Sequence, residues 1–217
     1  MSSPVSIGIS ITDAVNFVAR VGGECERLTD LIKQEVSRTL LTPDLAKRYK
    51  ANGAWIDSSD TDEHGWVCTD FGISLPIAAK PKRLTTSYVV IQISLTGVGI
   101  GALGNHEPLV HIGQWGHPID LEEIQMGFPC DLDSGYDLSL ENNRLFRWVH
   151  SGCETEWCYS VRLTDLNCPD DVKINIIDPL KSLLLGDDVA QALSGTAAVQ
   201  YVEVVGNEGQ YRIIPQS

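Results

Sequence analysis

The sequence predicts an α+β protein: a long N-terminal helix packed on a mainly antiparallel β-sheet, with further helices near 169–194 and a C-terminal β-hairpin. Three observations lead there. Apolar residues recur at steps of three or four between Ala14 and Val36. After Gly53 the pattern changes to β-branched segments bounded by glycine, proline and asparagine. The joints between those segments are too short for regular crossover helices, which parallel strands require.

The helical stripe runs through Ala14, Val18, Val21, Cys25, Leu28, Ile32 and Val36, with Thr12 as the predicted N-cap. The pair Gly22-Gly23 interrupts it in composition but not in phase, which favours one helix over two. Each glycine costs about 1 kcal/mol relative to alanine, so a kink there, or a close backbone contact, is expected. Thr42-Pro43-Asp44 predicts a second, short helix capped by the threonine hydroxyl and ending near Asn52-Gly53.

An acidic loop over 57–65 leads to strands predicted at 66–75, 88–95, 109–114, 145–150 and 157–163. Lys80-Pro81-Lys82-Arg83, the one basic cluster, is read as a solvated loop tip. Pro169-Asp170-Asp171 opens a helix that continues through Val172, Ile176, Leu180 and Leu184 to Gly186, kinked at Pro179. Alternation of Val172, Ile174 and Ile176 supports a strand as the rival reading. A short helix follows Asp187 or Asp188, and a β-hairpin over 198–205 and 210–214 closes the chain.

A length of 217 residues without internal repeats leads us to expect one domain over 1–217. The formal charge of −13 disfavours nucleic acid and anionic membrane surfaces and favours a basic partner. The first 21 residues lack a basic stretch before their apolar one, and no segment approaches the ~20 apolar residues of a membrane span. A cytoplasmic, soluble protein is the expectation. The six cysteines are expected to be mostly thiols.

Four constellations bear on chemistry. Gly99, Gly101 and Gly104 fit the letters of a dinucleotide fingerprint, yet a strand starting at Leu109 leaves no room for the phosphate-binding helix. His106, Glu107, His111 and His117 form a dense group of metal-ligating types; Pro108 and the spacing depart from a helical metalloprotease motif. His150, Cys153, Cys158 and Cys168 carry zinc-ligand chemistry at unusual spacing. Asp57, Asp60, Asp62 and Glu63 with His64 are read as a solvated acidic loop, because the frame of a calcium-binding loop is missing.

A second acidic segment contains Asp120, Glu122, Glu123, Asp131 and Asp133, with aliphatic and aromatic residues between them, as a surface for a basic protein would. Two functions follow as expectations. The first is a non-catalytic interaction, inhibitor or regulatory protein that binds a basic protein through those acids. The alternative is a metal-dependent, hydrolase-like enzyme using His106, Glu107, His111 and His117, with a divalent metal. No organic cofactor is predicted.

Overall fold

The structure, a computed structural model, describes residues 7–96, 107–123, 126–127, 137–149, 156–206 and 211–215. The first helix, α1 (Ile7–Leu40), is uninterrupted through the glycine pair. It begins earlier than predicted, so Thr12 is an interior residue whose hydroxyl donates back to Gly8 O at 3.1 Å. Only its second half enters the core: Cys25, Ile32, Val36 and Leu40 are buried, whereas all residues from 7 to 20 are exposed. The glycines show no close backbone contact. A Cβ on Gly22 would meet nothing within 4 Å, and one on Gly23 only the tip of Arg27.

Helix α2 (Pro43–Arg48) starts with proline as expected, but Thr42 does not cap it; that hydroxyl donates to Thr39 O instead. The helix stops at Arg48 because the next three residues form β1 (Tyr49–Ala51) on the edge of the sheet. The predicted acidic loop is largely a strand, β2 (Ile56–Thr61), which makes a hairpin with β3 (Cys68–Ala79). Its polar composition conceals it, since an edge strand needs no apolar face on its solvent side.

Strands β4 (Ser87–Ser94), β5 (Leu109–Trp115), β7 (Leu145–Val149) and β8 (Glu156–Arg162) match predicted segments. A further strand, β6 (Asp137–Glu141), was not predicted. The sheet is antiparallel throughout, with β1 and β2 end to end along one edge of β3, followed by β4, β5, β8, β7 and β6. After β5 the chain therefore moves to the far edge and returns inward.

Both faces of this sheet are buried. On the first, Ile73, Ile91, Ile112 and Tyr159 pack under α1 and the helices that follow Pro169. The helical stretch from 169 is α3 (Pro169–Val172), a wider π turn (Lys173–Ile177), and α4 (Asp178–Leu185). Pro179 cannot donate to the carbonyl four residues back, that of Asn175. Tyr159 Oη donates to Asn175 O at 3.0 Å and to Ile176 O at 3.2 Å, so the interruption is met from the sheet. The helical reading of this segment holds, and the strand reading does not.

Helix α5 (Val189–Ala192) is capped by Asp188, whose carboxylate accepts from Ala190 N and Gln191 N. Beyond Leu145, where β7 begins, the segment after α5 takes its place beside β8, with Val199 N donating to Ser160 O at 2.8 Å. The chain then reaches the second sheet face as the hairpin β9 (Tyr201–Glu203) and β10 (Tyr211–Ile213). There Phe146 meets Tyr201 and Tyr211 edge-on, each at 4.8 Å between ring centroids. Among the described residues no helix is long and apolar enough to cross a membrane.

Candidate functional site

Period-two alternation decides where the acidic side chains go. On β2 and β3 the residues Ser58, Asp60, Gly72 and Ser74 share the second sheet face, while Asp57 points toward α1 and pairs with Lys33. Gly72 has no side chain, and Ile119 and Leu121 fill the space above it; a Cβ at that position would lie 2.5 Å from Ile119 Cγ2. The segment after β5 thus lies over the β2–β3 hairpin. Ile119 N donates to Ser74 Oγ at 2.9 Å, and Leu121 N donates to Ser58 Oγ at 2.8 Å.

This seating makes an acidic turn beside an acidic strand. Asp120 Oδ1 accepts from Glu122 N and Glu123 N, and the backbone of Asp120 exchanges hydrogen bonds with Met126. Glu122 and Glu123 are exposed. Asp60 lies directly opposite Asp70 across the hairpin, and Asp70 accepts from Gln92 Nε2 at 2.8 Å. At the hairpin tip, Asp62 Oδ1 accepts from Trp66 N and Val67 N, holding a tryptophan that is 85% exposed. Trp66 was predicted to open a strand; the turn built on Asp62 places it before β3 begins. Asp131 and Asp133 lie outside the described residues.

The predicted histidine group is distributed differently. His111 is fully buried at the middle of β5, with Nδ1 2.7 Å from Ser160 Oγ. Tyr201 Oη donates to the same Ser160 oxygen at 2.8 Å, so one serine hydroxyl joins both side chains. Serine and histidine at this distance have the types of a nucleophile and its base. All three residues are 0% exposed, so no substrate atom reaches Ser160 Oγ in this structure. The group ties β5 and β8 to β9 instead.

Glu107 pairs with Arg162, and His117 is an exposed turn residue beyond the end of β5. His106 lies outside the described residues. Among the described residues no three of His, Cys, Asp and Glu stand close enough to hold a metal ion. The Gly99–Gly104 loop, Cys130, His150 and Cys153 are outside the described residues; Cys158 is buried in the sheet and Cys168 is exposed, both as thiols. Burial pushes the Cys25 thiol up to about 11, with the nearby Cys68 adding to the rise, so it stays protonated at neutral pH.

Sequence reasoning missed Ser160, Tyr201 and Ser58. The alternation in β8 puts Ser160 opposite the face of Trp157 and Tyr159, but nothing local to the strand identifies His111 as its neighbour. Comparison with protein-family models, with curated proteins and with solved structures finds no match.

Proposed function

We propose that this protein is a non-catalytic interaction protein, of inhibitor or regulatory type, that docks a basic protein on the acidic face of the β2–β3 hairpin and the 120–123 turn. The supporting observation is the hydrogen bond from Leu121 N to Ser58 Oγ, which joins two acidic stretches 63 positions apart. Asp60, Glu122 and Glu123 are thereby held on one packed platform instead of trailing on separate loops. Trp66 adds an exposed aromatic anchor at the hairpin tip, the residue type that carries most energy at interface centres. Acids with an aromatic among them suit a lysine- or arginine-rich surface, with the charge setting approach and orientation.

The test is titration of a lysine-rich peptide into the full chain by calorimetry at low salt. One variant, Asp60→Asn with Glu122→Gln and Glu123→Gln, removes three charges from the face. A control, Glu26→Gln with Asp30→Asn and Asp187→Asn, removes three exposed charges elsewhere. The face variant is expected to weaken binding about tenfold while the control stays within about twofold. Equal losses would show that binding follows net charge alone, and the reading would fail.

A further inference from the structure

The first half of α1 has no counterpart in the core, although its pattern matches the half that does. Ile7, Ile11, Val15 and Val18 continue the stripe that buries Cys25, Ile32 and Val36, yet they are 42% to 79% exposed. A helix this apolar is not stabilised by projecting into water, because most helical stability in proteins comes from packing an apolar face.

Beside α1 lies an open groove of about 680 Å³. One wall is α1 itself, from Phe17 to Leu31, and the other is the segment around Leu163, Leu166 and Val172. Its floor is mainly apolar. At about 1.5 Å per residue, the helix wall is about 21 Å long and the projecting segment from Ile7 to Arg20 about 20 Å.

We propose that the groove receives the projecting α1 segment of a second copy, so that the chain forms a two-fold dimer through antiparallel α1 helices. The symmetry closes: with the axis perpendicular to the helical layer, each copy's Ile7–Val18 stripe comes down on the other's Leu163–Val172 wall. The two helices then meet side by side around Phe17 and Arg20. Such an isologous contact satisfies both projecting segments at once and leaves no open end for further addition.

Charge and area support a second copy over an unlike chain. Asp13 and Arg20 are the only charges from 7 to 20, so this segment is neutral in a chain of formal charge −13, and two copies meet here without that repulsion. Five exposed apolar side chains, Ile7, Ile11, Val15, Phe17 and Val18, offer roughly 500 Å² per copy, and with the groove surface they cover the two equivalent contacts reach the ~1,200 Å² at which specific interfaces begin. The dimer uses the helical side of the sheet and leaves the acidic hairpin on the other side uncovered, so it stands independently of the proposed function.

Sedimentation equilibrium of the full chain at about 1–100 µM tests this. The expected species has twice the 23.7 kDa chain mass. Ile11→Asp with Val18→Asp, at exposed positions, is expected to give a monomer that loses far-UV helical signal from the projecting segment alone and keeps the near-UV spectrum of the folded body. A monomer at every concentration overturns the proposal, as does a dimer that survives the aspartate pair.

Discussion

Tyr159 stands in the middle of β8 and its hydroxyl serves a helix on the layer above. The two carbonyls it reaches, those of Asn175 and Ile176, sit where Pro179 interrupts the regular hydrogen bonding of the helix. Tyr159→Phe keeps the ring and its stacking on Trp157 but removes that donor. A loss of about 1–3 kcal/mol is expected, the cost of a buried carbonyl without its partner, seen as a lower urea midpoint at unchanged slope. Burial also raises the pKa of Tyr159 and Tyr201, and that of the Cys25 thiol from 9.0 to about 11. The unfolded thiol therefore loses its proton near pH 9 while the folded one retains it. The contribution of Cys25 is complete below pH 9 and disappears as pH rises through about 11. Unfolding free energy measured from pH 8 to 11 should fall on the alkaline side, and a Cys25→Ala variant should fall less.

At the scale of elements, α1 carries two glycines without a structural reason in the monomer. Neither has a neighbour that an added methyl would strike, and neither has a positive φ. Gly22→Ala and Gly23→Ala are each expected to stabilise by about 0.5–1 kcal/mol, by reducing the freedom of the unfolded chain. Thermal melts followed by circular dichroism read this directly, and destabilisation at Gly22 would reveal a close neighbour. Gly72 in β3 is the opposite case. Its missing side chain is the seat of Ile119 and Leu121, and through them of the acidic turn. Strand β2 shows how an edge escapes pattern reading: Asp, Ser and Thr can occupy a ladder when only one side is paired, and the alternation then separates Asp57, beside Lys33, from Asp60, beside Asp70.

For the whole molecule, the sheet divides the protein into a helical side and a side closed by the C-terminal hairpin with residues 119–123 and 126–127. The proposed dimer contact belongs to the first, and the proposed acidic docking face to the second. The amphipathic repeat of α1, the β-branched runs, the helical segment opened by Pro169 and the final hairpin were legible from residues alone, because period and end signals are local properties of a chain. The edge strands β1 and β2 were not legible, since the first is three residues long and the second has no apolar face, and β6 was missed although Leu138 and Leu140 alternate with polar residues. Nor were the π turn and the Ser160, His111 and Tyr201 group, because each depends on a group brought from another element. The sequence by itself determined the α+β class, the antiparallel connections and the excess of negative charge. Only the tertiary structure decided that His111 is a buried strut, that two distant acidic stretches share a platform and that half of α1 projects, because these depend on strand register and on which face each side chain takes.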